Sequence, residues 1–412
     1  MGLDRCGFSP RVQRKVVHAG VNSPSYQQAS RDLAELSDLE VGPKPVERLV
    51  RKVGQERIDQ RAAAVAAHRR LPLMARDLVA DPGRPTPSVV MASVDGGRMQ
   101  IRSDPAKPGR ESHWRESKVA ALETYQSEVH PADPDPDVPR CFLDLKRTQE
   151  MVRGLGHDLP IGLEFGSGGE GRGGGEAPPK GRDRAPRPGR PRRLVRSVLA
   201  SRKSGDDFGP IVHQAAWERN FFGAGRKAFL GDGLPMNWTI QRRHFASFTP
   251  ILDFVHALSY VFAAAFAGRP RGEGEEVYGR WIQAAWSGRV ATILTELEAR
   301  ATALGPPPPE CADSDPRRLV SESLRYLRNN ADRMHYDDYR RRGLPIMTSA
   351  VESVIKMINR RVKGSEKFWS EPGAEAILQL RADYLGETET MSRFWLEREA
   401  RASGRRTYRR TA

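Results

Sequence analysis

The chain has few cysteines and no long apolar run. Three of its 412 residues are cysteine (Cys6, Cys141 and Cys311), and this number and spacing exclude a disulfide framework or a cysteine-rich zinc site. The most apolar stretch, ALSYVFAAAFAG, is shorter than the roughly 18 residues that a membrane helix needs. The first residues, MGLDRCGFSPRVQRK, contain no apolar signal core. We therefore expect a soluble, cytoplasmic protein with no membrane partner.

Acidic residues are in the minority. The chain has 67 Lys and Arg against 52 Asp and Glu, which gives a formal net charge of +15 and a pI near 10.0. A surplus of this size favours a polyanionic partner, usually nucleic acid, although charge alone accounts for non-specific binding only. The length and a hydrophobic content of 38% predict two or three domains with a substantial core.

Residues 1–80 are predicted to be helical. SPSYQQASRDLAEL begins with serine N-caps and continues with leucines at helical spacing, and a short link separates it from the basic stretch KPVERLVRKVGQERIDQRAAAVAAHRR. Two helices joined by a short turn, the second of them basic, resemble a helix-turn-helix that binds DNA. The same pattern is equally typical of a helical arm that packs on the next domain, so both interpretations stay open.

Apolar segments of strand length dominate residues 88–254. PSVVMASVDGGRMQIR predicts a β-hairpin that turns at its two glycines, with Asp95 at the end of the first strand. RLVRSVLASR and RKAFLGDG predict further strands, the second ending at Asp232, and FASFTPILDFVHAL predicts a strand that runs into a helix. Within this region residues 166–193 are rich in Gly, Pro and Arg, which predicts a disordered, low-complexity insertion.

The rest of the chain is predicted to be helical. Residues 255–345 have helical periodicity that two Gly/Pro-rich breaks interrupt. Residues 346–395 contain an amphipathic helix with Glu352 at its head. The predicted buried stripe of this helix is Val351, Val354, Ile355 and Ile358. Residues 396–412 form a basic tail.

Three acids stand out by their position. Asp95 and Asp232 each follow an apolar strand and precede a glycine, and Glu352 lies on an amphipathic helix, where an unpaired carboxylate is costly to bury. Mg²⁺ and Mn²⁺ prefer carboxylate oxygens to His or Cys ligands. Two such ions about 3.5–4 Å apart stabilise the attacking and leaving oxygens of a phosphodiester displacement. The order of hairpin, strand, helix, two strands and a late helix is that of an RNase H-like domain, so we predict that these acids converge on two ions.

Two further groups of polar residues accompany these acids. Asp253 and His256, in DFVHA, lie about one helical turn apart and can orient each other, although most such pairs are only structural. Bases follow Glu352 on the same helix, where phosphate contact is favoured over an ordinary solvated face. These predicted DNA-binding residues are Lys356, Arg360, Arg361 and Lys363.

Several segments together resemble a known family. They are DGGRMQ, LGDGLPMNW, DFVHAL, YLRNNADRMHYDDYRRRGLPI and ESVIKMINRRVKGSEKFW. The chain resembles bacterial insertion-sequence DDE transposases of the ISKra type, which are related to the Mutator-like group. The resemblance covers roughly residues 88–395 apart from the low-complexity insertion, and its last block is the most specific. It implies an α/β, RNase H-like catalytic domain with an α-helical insertion at about 255–345. The helical region predicted at 1–80 precedes this domain.

The resemblance also implies roles for individual residues. The family's two Asp and its Glu fall on Asp95, Asp232 and Glu352, and the Cys or Asp that precedes a His in Mutator-like relatives falls on Asp253, with His256. Many relatives have Gly-Ser-Gly before the Glu, whereas residues 348–350 of this chain are Thr-Ser-Ala.

The implied activity is cleavage of DNA at element ends and joining of the freed 3′-hydroxyl to target DNA, with two Mg²⁺ or Mn²⁺ ions. The expected partners are the terminal inverted repeats, target DNA and further copies of the chain in a DNA-bound homo-oligomer at the bacterial nucleoid. Two alternatives stay open. An RNase H-fold nuclease without strand transfer would need the same acids, and a domesticated DNA-binding protein would keep the fold without catalysis.

Overall fold

A computed structural model of the protein describes residues 7–78, 82–83, 85–102, 113–156, 159–160, 163, 165, 189–347, 349–364 and 366–402, with only the backbone of 349–352. The described strands form one six-stranded sheet. They are β1 (Val89–Ile101), β2 (Trp114–Gln126), β3 (Arg192–Ser201), β4 (Arg226–Gly231), β5 (Thr249–Leu252) and β6 (Phe368–Trp369).

The sheet is mixed. Its strand order is β3-β2-β1-β4-β5, and β6 lies beside the far end of β1. The pairs β1–β2 and β2–β3 are antiparallel, whereas the pairs β1–β4, β4–β5 and β1–β6 are parallel. The prediction of an α/β fold is therefore confirmed.

The helices fall into groups set by the strands. Before β1 come α1 (Pro10–Asn22), α2 (Tyr26–Ser37), α3 (Pro43–Arg69) and α4 (Leu73–Arg76). Between β2 and β5 come α5 (Arg140–Leu143), α6 (Leu145–Gly154), α7 (Gly205–Glu218) and α8 (Pro235–His244). After β5 come α9 (Phe254–Phe266), α10 (Arg271–Trp286), α11 (Val290–Leu304), α12 (Pro316–Asn330) and α13 (Tyr336–Arg341). Around β6 lie α14 (Ser349–Val362), α15 (Glu371–Leu385) and α16 (Thr390–Arg401). Residues 255–345 thus contain helices and no strand, as their periodicity predicts.

The first strand does not turn at its two glycines. β1 runs unbroken from Val89 to Ile101, with Asp95 paired to Val119 and Gly96 paired to Lys118 of β2. The predicted hairpin at DGG is therefore wrong. Pairing with β2 satisfies the glycine backbone without a turn, and a Cβ at Gly97 would lie 3.0 Å from the Ser117 hydroxyl, which explains the need for a small residue there.

The N-terminal helices pack on the C-terminal ones. A Cβ at Gly54 would lie 2.6 Å from the Cβ of Ala376, so α3 and α15 are in close contact. Ion pairs of 2.9 Å between Arg57 and Asp383 and of 2.7 Å between Arg61 and Glu375 cross the same interface. This packing agrees with the interpretation of a packed arm, and DNA recognition by these helices stays a prediction.

Two hydrophobic cores result. The larger one joins β1, β2, β4 and β5 to the helices α5–α13. The second lies between the helices α1–α3 and α14–α16 and one end of the β1–β2 pair. It includes Met99 of β1 and Val119 of β2. Because side chains alternate along a strand, Asp95 and Gly97 lie on the same face as Met99, the face that α14 covers.

The predicted low-complexity segment and tail are only partly described. Residues 166–188 and 403–412 lie outside the described residues. The last residues of the predicted insertion are described and structured, since Arg190 pairs with Asp135 at 2.6 Å and β3 starts at Arg192, so the predicted bound at 193 is wrong. The predicted tail begins inside α16, where Arg398 pairs with Glu56.

Candidate active site

Asp95 and Asp232 meet where the β1–β4 pairing ends. The last paired residues are Val94 and Gly231, so the next residue of each parallel strand is one of the two acids. Asn237 of α8 links the two ends, since its Nδ2 donates to Val94 O at 3.1 Å and to Asp232 Oδ1 at 2.7 Å. Strand pairing and one buried amide therefore bring the first two predicted acids together.

Both acids are difficult to ionise. Burial raises the pKa of the Asp95 carboxyl, and the neighbouring charge of Asp232 adds to the effect, so that the pKa reaches about 6. Burial also raises the pKa of Asp232. Hydrogen bonds from Leu234 N and Asn237 and the charge of His256 lower this pKa, but the effect of burial is larger. The positive charge of His256 offsets the charge of the two carboxylates only in part, since both pKa values stay raised, and a bound cation would supply further compensation.

Asp253 and His256 lie beside the two acids. Asp253 N donates to Gly231 O at 2.9 Å, and Asp253 Oδ1 caps α9 by accepting from Val255 N at 2.8 Å and His256 N at 3.3 Å. His256 Nδ1 lies 3.4 Å from Asp253 Oδ1. Burial lowers the pKa of His256, but the hydrogen bond and charge of Asp253 and the charges of the two acids outweigh it and raise the pKa to about 9. His256 is therefore an imidazolium at neutral pH, coupled to both acids.

Glu352 lies in α14, and its side chain is outside the described residues. The helix packs on β1 and β2 through the buried Val354 and Ile358. Asn359 Oδ1 lies 4.0 Å from the position that a Cβ at Gly97 would take. The helix thus runs along the face of the sheet that bears Asp95.

The donor atoms at the site suit a hard divalent cation. Asp95 and Asp232 offer carboxylate oxygens, and the buried Asn237 Oδ1 has no hydrogen-bond partner. Among the residues described, which exclude the Glu352 side chain, no three Asp, Glu, His or Cys side chains are grouped so as to hold a metal ion. The prediction of two Mg²⁺ or Mn²⁺ ions therefore stays a prediction.

The four predicted DNA-binding bases do not share one environment. Lys356, Arg360 and Lys363 are exposed, and the Lys363 Nζ lies 5.4 Å from the centre of the Trp114 ring. Arg361 is only 4% exposed, and its Nε and Nη2 donate to Gly20 O at 3.2 and 3.1 Å. The predicted DNA contact of Arg361 is therefore wrong. Its position three residues after Ile358 places it on the buried stripe of the helix, a signal that the sequence contained.

Two further side chains contact Asp232 and were not predicted from the sequence. Asn237 follows Asp232 by five residues, and its place in the first turn of the helix after the strand was a usable signal. Tyr326 of α12 donates from its hydroxyl to the Asp232 carbonyl oxygen at 2.6 Å. No local pattern connects Tyr326 with Asp232, because the two residues are far apart in the chain.

The chain matches no model of a known protein family, and no curated protein matches it. Within the described ranges, no helix is both long and apolar enough to cross a membrane. The site geometry is consequently the basis for any functional assignment.

Proposed function

We propose that this protein is a metal-dependent DNA transposase of the DDE type, with Asp95, Asp232 and Glu352 as its metal-binding acids. The observation that carries the proposal is the adjacency of Asp95 and Asp232 at the open end of the β1–β4 pair, where burial raises the pKa of both carboxyls. Perturbed acids at adjoining strand ends are typical of catalytic sites.

The arrangement of the elements supports an RNase H-like domain. Three antiparallel strands are followed by two parallel ones in the order β3-β2-β1-β4-β5, and the late helix α14 packs on β1. The helices α9–α13 separate the second acid from the third, as a helical insertion would.

The backbone spacing of α14 supports Glu352 as the third acid. Residues seven apart share one side of an α-helix, and Asn359 lies next to Gly97 on β1. A helix rises about 1.5 Å per residue and a strand about 3.3 Å, so the step from Asn359 back to Glu352 corresponds to about three strand residues. Counting three residues back from Gly97 reaches Val94, so the backbone of Glu352 lies within about one strand residue of the level of Asp95.

Each described side chain has a definable role in this proposal. Asp95 and Asp232 would hold the metal, which supplies charge stabilisation to the attacking and leaving oxygens when it is bound. Asn237 orients Asp232, and the His256 imidazolium offsets the negative charge of the two acids. The exposed Lys356, Arg360 and Lys363 neutralise DNA phosphates beside the site.

The test uses the purified chain, labelled duplexes from the two DNA flanks of its gene, and plasmid target DNA with Mg²⁺. Joined products support a transposase. Nicks without joining would indicate an RNase H-fold nuclease, and binding alone would indicate a domesticated DNA-binding protein.

The variants Asp95→Asn, Asp232→Asn and Glu352→Gln test the three acids, and each should abolish cleavage and leave DNA binding intact. Glu276→Gln, at an exposed acid of α10, is the matched control and should cleave normally. Cleavage that survives in Asp95→Asn or Asp232→Asn would contradict the proposal.

A further inference from the structure

The turn between β4 and α8 presents an apolar side chain beside Asp232. Leu234 is 48% exposed, although it lies only two residues after the acid. Its N–H donates to Asp232 Oδ1 at 2.9 Å, so its backbone is tied to the carboxylate itself. Pro235 follows as the first residue of α8, and its ring restricts the backbone on the other side. The position of Leu234 is therefore coupled to that of the carboxylate.

Tyr326 holds the same turn from α12. Its hydroxyl donates to Asp232 O at 2.6 Å, and its ring stacks on Tyr260 with centroids 3.6 Å apart. Gly233 has a φ of +92°, and a Cβ there would lie 2.6 Å from the Tyr326 ring. Because the turn is fixed at Asp232 and packed at Gly233, Leu234 cannot move away from the acid without breaking these contacts.

A second large apolar side chain in this stretch, that of Trp238, is inaccessible. Trp238 is 5% exposed, and its Nε1 donates to Asn330 Oδ1 at 3.0 Å. The guanidinium of Arg333 covers its ring at 4.5 Å from the centroid. Trp238 is therefore a core residue, whereas Leu234 is an exposed apolar side chain of the turn that a bound DNA strand can reach.

We infer that Leu234 wedges against the DNA base next to the scissile phosphate and thereby sets the position of that phosphate at Asp232. The inference rests on the proposed function and adds a positioning residue to it. Apolar side chains such as Leu enter between base steps and partly unstack them in other DNA-binding proteins. A wedge held by two hydrogen bonds at the acid keeps the contacted base at a constant distance from the metal-binding carboxylate.

The experiment uses the full-length chain and duplexes of its flanking DNA, with 2-aminopurine placed on either side of the nick mapped with the wild-type protein. This fluorescent base brightens when it is unstacked, so wild-type binding should raise its emission at one of the two positions. Leu234→Ala and Leu234→Gln should abolish that rise, whereas Leu234→Met should keep it. Leu143→Ala, which alters a leucine that is 50% exposed at the end of α5, is the matched control and should behave as wild type.

The rate of cleavage is compared for wild type and Leu234→Ala, each on intact DNA and on DNA that lacks the flanking base. Leu234→Ala should slow single-turnover nicking of intact DNA by roughly tenfold, the effect expected when a partly covered leucine is truncated to alanine. On DNA that lacks the flanking base, wild type and Leu234→Ala should cleave at the same rate. The inference is overturned if both proteins give the same 2-aminopurine emission, or if the rate difference persists without the base. Absence of metal-dependent nicking in the wild type would instead defeat the proposed function.

Discussion

Arg361 donates two hydrogen bonds to the carbonyl oxygen of Gly20, of 3.2 Å from Nε and 3.1 Å from Nη2. The guanidinium also lies 4.6 Å from the centre of the Tyr26 ring and 5.0 Å from that of Trp369. A buried guanidinium is tolerated only when its donors are satisfied. This contact therefore joins the N-terminal helices to the helix that contains Glu352.

The first prediction concerns the stability that this contact provides. Arg361→Ala should lower the free energy of unfolding by about 2–4 kcal/mol, because it leaves the Gly20 carbonyl unpaired and removes the stacking on both rings. Arg360→Ala alters the exposed neighbour and should change stability by no more than about 0.5 kcal/mol. Urea unfolding followed by circular dichroism measures both values. Equal stability of the two variants would show that the contact contributes nothing.

The second prediction separates the exposed bases from Arg361. Replacing Lys356, Arg360 and Lys363 with Ala should weaken DNA binding about equally for all sequences. The slope of log affinity against log salt should flatten by roughly 0.9 for each phosphate of duplex DNA that the variant no longer neutralises. Fluorescence anisotropy across a salt series provides the measurement. If the slope of the triple variant matches that of wild type, these side chains form a solvated face only.

The third prediction concerns the turn that follows Asp232. Gly233→Ala should destabilise the protein by about 1–3 kcal/mol and slow cleavage, because the residue has a positive φ and the added Cβ meets the Tyr326 ring. Gly279→Ala is the matched control: the glycine lies in α10 with nothing within 4 Å of an added Cβ. That variant should gain about 0.5–1 kcal/mol. A Gly233→Ala protein as stable as wild type would show that the turn adjusts freely.

The fourth prediction concerns a histidine cluster that packs α3 against α7 and α8. His213 Nε2 lies 2.9 Å from Asp77 Oδ1, and the His213 ring centre is 5.0 Å from that of His68 and 5.9 Å from that of His244. Burial lowers the pKa of all three histidines, and the pKa of His244 falls to about 4. The folded protein thus keeps these rings neutral where the unfolded chain protonates them.

Stability should consequently fall as the pH drops from about 6.5 to about 4, since the unfolded state binds more protons over that range. His244→Gln should reduce the slope of the unfolding free energy against pH by up to about 1.4 kcal/mol per pH unit. His335→Gln, at an exposed histidine, should leave the slope unchanged. Urea unfolding at several pH values within this window provides the test, and identical slopes in the two variants would contradict the prediction.

Parts of the site were predictable from local sequence. Apolar runs that end in an acid and a glycine located Asp95 and Asp232, and one helical turn of spacing paired Asp253 with His256. The same local pattern failed at DGG, because a tight turn and a continuous strand through two glycines have similar sequences. Pairing with β2 along the whole of β1 decided between them.

The sequence by itself determined the helical and strand periodicities, the net positive charge and the positions of acids at strand ends, since these depend on residues that are close together in the chain. Only the tertiary structure decided that Arg361 is buried against Gly20 while Arg360 is exposed. It also decided that Tyr326 holds the turn at Asp232, and that Trp238 is covered while Leu234 is accessible. Such contacts join elements far apart in the chain, so they depend on how helices and strands pack rather than on any local pattern.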